Sequence, residues 1–232
     1  MTSPRPEDIS LNYYIDHTLL DPLAGEKEIE HLCNEVIDHN FATACIHPFW
    51  TKFAAPILHQ ASSRLSVVAD FPFGASISEL RIQEVEHTIL NGADEIDLVA
   101  PLMHIKKHNW NALFQDINSI RKLIGTRAIL KVIIEVSLFD TDTVIQASRI
   151  CAQAGAQTIK TSTGIINKRP TELSDIKAIK EGLMDFHDVE IKASAGIKTK
   201  EQALQFIQTG VSRIGTSAAL QIIKNERTAS NY

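Results

Sequence analysis

The feature that most constrains this chain is an alternation repeated eight times: a short β-branched run, then a segment of helical periodicity. The predicted strands are Tyr14–Thr18, Thr43–His47, Leu65–Phe71, Glu95–Ala100, Ile129–Val136, Thr158–Thr163, Glu190–Ala195 and Arg213–Ser217. The predicted helices are Glu26–His39, Trp50–Ser62, Ser78–Asn91, Asn109–Ile124, Asp140–Ala154, Thr171–Met184, Lys200–Thr209 and Ala218–Lys224. Gly92, Gly125, Gly155 and Gly210 each follow a helix and precede a strand, where a left-handed helix cap is expected. Such a series predicts an α/β fold, a single (β/α)8 (TIM) barrel, and 232 residues suit it. The competing reading is an open doubly wound sheet, which ordinarily carries GxGxxG after its first strand; this chain has none there. One domain over 1–232 is expected, with 1–10 as a polar N-terminal extension and 225–232 as a flexible tail ending in Tyr232.

Residue parity sharpens the expectation. Side chains alternate faces along a strand, and the outer face of a barrel must be apolar to pack on helices. In the fourth strand Ile96 and Leu98 oppose Glu95 and Asp97; in the fifth, Leu130, Val132 and Ile134 oppose Lys131, Ile133 and Glu135. Ile159 opposes Lys160, and Ile191 with Ala193 opposes Lys192. A sheet buried on both faces does not normally carry charges on one parity of successive strands; a barrel interior does, if they pair. The expected interior set is Lys131, Lys160 and Lys192 against Asp97 and Glu135, with Asp16 and Asp70 added from the first and third strands.

Lys160 and Lys192 lie on adjacent strands with the same parity. A free lysine titrates near ~10.4, and burial beside a like charge disfavours its ammonium form. Lowering that value by ~3 units takes roughly 4 kcal/mol. An amine so destabilised attacks carbonyls, while its neighbour stays cationic and handles protons. The alternative is a pair of structural lysines, each matched to a carboxylate. Asp97 shares their face and is the candidate acid/base partner; its alternative is an interior salt bridge to Lys131 or Lys192. SAGIKT after the seventh strand and IGTSA after the eighth occupy the turns where barrels commonly hold phosphate on backbone N–H groups. Gly196, Gly215 and Ser217 suit close backbone approach there.

A net charge of −5 without a sustained basic run argues against nucleic-acid or anionic-membrane partners. The N-terminus has no signal-peptide core, and the apolar stretch around residues 128–139 is too short and too interrupted to span a bilayer. Cys33, Cys45 and Cys151 are far apart, which predicts reduced thiols and a cytoplasmic protein. The histidines are scattered, with neither HxH nor HExxH, so no metal site is expected.

The segments IDHTLL, TACIHP, VVADFPFG, GADEIDLVAPL, LKVIIEVSL, TIKTSTG, IKASAGIKT and RIGTSA cover the chain from about Asn12 to Leu220. In order and spacing they resemble the deoxyribose-phosphate aldolase family, KTSTG followed by KASAG being the specific element. The resemblance implies a class I aldolase, a lyase of deoxyribose catabolism. Its reaction is reversible cleavage of 2-deoxy-D-ribose 5-phosphate to D-glyceraldehyde 3-phosphate and acetaldehyde. It implies a Schiff base on Lys160, proton relay by Lys192 and acid/base work by Asp97, with no metal or organic cofactor because the imine is the electron sink. It further implies phosphate binding by Gly164, Gly196, Ile197, Lys198, Gly215 and Ser217. Asp16, Thr18, Cys45 and Lys131 are further candidates for the substrate pocket, although for Cys45 a small buried core residue is the favoured reading. The expected partners are the sugar phosphate and acetaldehyde, and the expected assembly a homo-oligomer, a dimer first.

Three positions depart from the family pattern. Ala195 and Lys198 stand where SGGIRT is common, and Ala218 replaces the second of two serines. All fall in the phosphate turns, which predicts a weaker hold on phosphate. The competing functions are a Schiff-base barrel enzyme with a different donor and a catalytically silent barrel that binds a phosphorylated metabolite.

Overall fold

Eight parallel strands close on one another in sequence order, the last pairing with the first. They are β1 Ile15–Thr18, β2 Thr43–Ile46, β3 Arg64–Ala69, β4 Glu95–Val99, β5 Ile129–Ile133, β6 Thr158–Lys160, β7 Glu190–Ser194 and β8 Arg213–Thr216. The computed structural model describes residues 10–167 and 169–224. The predicted extension apart from Ser10, and the tail with Tyr232, therefore lie outside the described residues. Between the strands run α1 Glu26–His39, α2 Thr51–Gln60, α3 Ser78–Leu90, α4 Leu102–Lys106, α5 Trp110–Ile124, α6 Thr141–Gln153, α7 Leu173–Gly182 and α8 Lys200–Gln208, and α9 Ala219–Lys224 follows β8. This is the predicted (β/α)8 barrel. Pairing of β1 with β8, Ile15 opposite Ile214 and His17 opposite Thr216, rules out the open sheet.

Parity sorts the strand residues as the sequence predicts. Ile15, Leu65, Val67, Ile96, Leu98, Leu130, Val132, Ile159, Ile191 and Ile214 belong to the apolar cluster between barrel and helices. Cys45, Val68, Val99 and Ile133, on the opposite parity, are buried outside that cluster, in the barrel interior. Gly92, Gly155 and Gly210 have the positive φ expected after their helices, whereas Gly125 has φ 56° with ψ −124°, outside the left-handed helical region. Side chains begin several helices: Asp140 accepts the Thr143 N–H at 2.8 Å and Thr199 accepts that of Gln202 at 3.3 Å. Among the described residues no helix is long and apolar enough to cross a membrane.

The differences lie at the carboxyl ends of the strands. The predicted third, fifth and sixth strands run two or three residues too far, because apolar and β-branched residues continue into the loops. Two expected members of the interior charge set are displaced as a result. Asp70 follows β3 with φ 47° and ion-pairs with buried Arg81 of α3, which also reaches Asp116 of α5 at 2.9 Å. Glu135 follows β5 with φ 49° and accepts the Thr163 N–H at 2.9 Å. A left-handed residue breaks the strand's alternation, so parity no longer says where its side chain points. The short α4, after Pro101, was not predicted.

Helices α6 and α7 approach closely at Gly182, where a Cβ would lie 2.4 Å from the Ile145 carbonyl oxygen and 2.9 Å from Ser148 Cβ. Gly182→Ala should therefore overpack this contact and cost about 1–3 kcal/mol, lowering Tm by several degrees. A calorimetric Tm equal to that of the parent chain would show that the helices part without cost.

Candidate active site

Inside the barrel the charged side chains form one connected set. Near the amino ends of the strands, Arg213 reaches Asp16 at 2.6 Å and Glu95 at 2.9 Å. Exposed Arg64 adds a contact to Glu95 at 3.1 Å. Lys131 lies 2.5 Å from Glu95, 2.8 Å from Asp97 and 3.4 Å from Asp16. Lys192 lies 2.5 Å from Asp16 and 2.7 Å from Asp97. Lys160 meets one carboxylate among the described residues, Asp97, at 2.7 Å. Ser66 donates to Asp97 at 2.9 Å and accepts from Lys131 at 2.9 Å, while Cys45 Sγ stands 4.0 Å from Asp97.

Four interior cations, Lys131, Lys160, Lys192 and Arg213, thus share three carboxylates, Asp16, Glu95 and Asp97. Among the described residues one positive charge has no counterpart, and burial makes it costly. Lys160 has the fewest carboxylate contacts of the four. Burial pushes its ammonium below the usual lysine value, and Lys192 alongside adds to this; Asp97 opposes them and is outweighed. Burial also works against the charges of Lys131 and Lys192, but their carboxylate partners win and hold both above the usual value. Asp97 is likewise buried, yet Lys131, Lys160 and Lys192 together hold its carboxyl well below the ordinary range. Burial raises the Cys45 thiol, leaving it a neutral neighbour.

Above this set a pocket of about 520 Å³ opens at the carboxyl ends of the strands, the face where barrels carry their chemistry. It is lined from β1 by Thr18 and the loop to Pro22, from β6 by Lys160 and Gly164, and from β7 by Ser194, Gly196, Ile197 and Lys198. Gly215 and Ser217 complete it from β8. Of the interior lysines, Lys160 alone lines the pocket; Lys131, Lys192, Asp97, Asp16 and Cys45 lie beneath. The predicted phosphate residues all share one wall, and Thr18 joins them.

A clasp fixes the turns after β6 and β7. The Ser194 N–H donates to Thr161 Oγ1 at 3.0 Å, and its carbonyl accepts from the Thr161 and Thr171 hydroxyls. The sequence reading missed Arg213, Ser66 and Ser194. Their signal was present: parity applied to β3, β7 and β8 sends Ser66, Ser194 and Arg213 inward.

The DeoC/LacD family aldolase model matches residues 11–222. The chain belongs to this aldolase family. It is 40% identical to the deoxyribose-phosphate aldolase of Mycoplasmopsis pulmonis, over 97% of this chain and all of that one. It is 39% identical to that of Desulfitobacterium hafniense strain DCB-2, over 90% and 95%. The tetrameric deoxyribose phosphate aldolase of Aeropyrum pernix superposes with a TM-score of 0.87 at 28% identity, covering 97% of this chain and 94% of that one.

The aldolase-family turns are modified here. Ala195 carries its methyl group at φ 83°, a conformation that costs a non-glycine residue about 1–2 kcal/mol. The Lys198 N–H already donates to Gln202 Oε1 at 2.8 Å, and the Ala218 N–H to Thr216 Oγ1 at 2.9 Å. Gly215 has a reason besides anion approach, since a Cβ there would fall 2.3 Å from Ser194 Oγ and 3.0 Å from Lys192 Cε.

The interior carboxylates also set a pH dependence. Asp16, Glu95 and Asp97 all have carboxyl values below normal in the folded chain, because the cations around them outweigh the opposing effect of burial. Their stabilisation is complete above the unfolded carboxylate value, about 4, and is lost as pH falls toward the folded values. The urea midpoint should hold steady from neutrality to about pH 5 and then drop. A midpoint unchanged down to about pH 3 would remove these groups from the stability of the barrel.

Proposed function

We propose that the chain is a single-barrel class I deoxyribose-phosphate aldolase, cleaving 2-deoxy-D-ribose 5-phosphate to D-glyceraldehyde 3-phosphate and acetaldehyde through a Schiff base on Lys160. The observation that carries this reading is Lys160 itself: the least paired interior lysine, with a lowered pKa, is also the one at the pocket. Its neutral amine adds to C1 of the open-chain sugar, and loss of water gives the imine. As the C3 hydroxyl releases its proton, its O–H electrons form the new C=O. The C2–C3 bond breaks toward the imine nitrogen, leaving an enamine. Protonation at C2 and hydrolysis release acetaldehyde and restore the lysine.

In this scheme Lys192 is the cation that donates and recovers protons. Asp97 contacts both lysines. Its carboxyl is held so low that it serves as a conduit for the proton and not as its resting place. The turns at Gly164, Gly196, Ile197 and Ser217, with the Lys198 side chain, hold the phosphate at the rim. Asp16 and Lys131 support the lysine pair from below. The proposal includes a cytoplasmic homo-oligomer acting in deoxyribose catabolism, which the named relatives and the Aeropyrum pernix tetramer support.

Acetaldehyde with borohydride should add one ethyl group to the peptide containing Lys160, and Lys160→Arg should abolish both label and turnover, because a guanidinium remains protonated. Mass spectrometry reads the outcome; a label on Lys192 with Lys160 untouched would reverse the two roles.

The modified turns predict a modest preference for the phosphorylated sugar. Ala218→Ser with Lys198→Arg should lower KM for deoxyribose 5-phosphate by about tenfold, the worth of one hydrogen bond to a charged group, with kcat little changed. An unaltered KM would move the phosphate away from this wall.

A further inference from the structure

We propose that the Ser194 hydroxyl binds the C4 hydroxyl of the sugar phosphate, making Ser194 a specificity-determining residue; this rests on the aldolase reading above. Ser194 ends β7, is 5% exposed, lines the pocket, and has no hydrogen-bond partner for its Oγ among the described residues. Its neighbours in the clasp differ in this respect, since the Thr161 and Thr171 hydroxyls are both engaged. Buried hydroxyls are almost always paired, so one left unpaired on a pocket wall points to a ligand atom.

The position is built rather than incidental. The Ser194 backbone is fixed on both sides, its N–H on Thr161 Oγ1 and its carbonyl under two threonine hydroxyls. Opposite, Gly215 lacks the Cβ that would fall 2.3 Å from the serine oxygen, which leaves room there for the hydroxyl beside Lys192.

Depth selects the substrate atom. Ser194 shares its face with Lys192 but stands two residues nearer the mouth, ~6.6 Å along the strand. The Lys160 amine holds C1 at the pocket floor, and the phosphate on C5 lies at the rim turns. The C3 hydroxyl must give its proton to the set below. The hydroxyl left at the level of Ser194 is that on C4, which is the C2 hydroxyl of glyceraldehyde 3-phosphate in the synthetic direction. A neutral hydroxyl partner suits this role, because the C4 hydroxyl keeps its proton throughout the reaction.

The test compares two acceptors in condensation with acetaldehyde: D-glyceraldehyde 3-phosphate, and 3-oxopropyl phosphate, which lacks only that hydroxyl. Ser194→Ala should lower kcat/KM for the first by about tenfold and for the second by no more than about twofold, while acetaldehyde–borohydride labelling of Lys160 proceeds as in the parent chain. An equal loss with both acceptors would assign Ser194 a merely structural role, and no loss with either would remove it from the substrate; each overturns the proposal. If the parent chain is neither labelled by acetaldehyde nor active with glyceraldehyde 3-phosphate, the aldolase reading itself falls and takes this proposal with it.

Discussion

A barrel interior that holds four cations and three carboxylates cannot keep every charge at equal cost. Removing ions from water is repaid only by close, well-satisfied partners, and the partners here are shared unevenly. Contacts are densest near the amino ends of the strands, where Arg213, Glu95, Lys131 and Asp16 interlock, and sparsest at Lys160. The site of lowest ammonium stability is therefore set by the whole interior rather than by one neighbour. A proton shed at Lys160 would balance three positive charges against three negative ones among the described residues.

The same gradient separates duties between two lysines that are opposite one another in the strand register. Lys192 has Asp16 and Asp97 on either side and remains an ammonium; Lys160 has only Asp97 among the described residues. A difference of one carboxylate contact, in a medium where each is worth several kcal/mol, is enough to push their ammonium values in opposite directions. Geometry follows from the covering loops. Glu135 and the Thr161–Thr171–Ser194 clasp hold the turns after β6 and β7, so the wall that faces Lys160 is fixed by groups outside the chemistry.

Much of this was legible in the sequence because it depends on strand parity. The period of two places Lys131, Lys160, Lys192 and Asp97 on one face wherever the strand is regular, and those residues meet as expected. It fails where the backbone leaves the strand: Asp70 and Glu135 turn left-handed one or two positions beyond the last ladder residue. Propensity does not mark those exits, since Phe71 and Val136 would suit a strand equally well. Arg213 was overlooked for a different reason: as the first residue of its strand it looks like a surface charge, and only closure of β8 against β1 brings it beside Asp16.

The small residues of the β8 turn show how interior and pocket are tied together. Gly215 looks in sequence like a phosphate glycine, but the space its missing Cβ leaves is taken by Lys192 Cε and Ser194 Oγ. A larger residue there would press on Lys192 and Ser194 at once, so side-chain packing favours glycine before any ligand is considered. Ala195 is the converse case, a methyl group kept at φ 83° where the backbone geometry favours glycine. A Cβ built at Gly164 would stand 3.7 Å from the Ala195 methyl group, an ordinary van der Waals separation. Ala195 lines the pocket together with Gly164 and Gly196. The charge balance beneath that wall is held in place by side chains from six of the strands, β1 and β4 to β8.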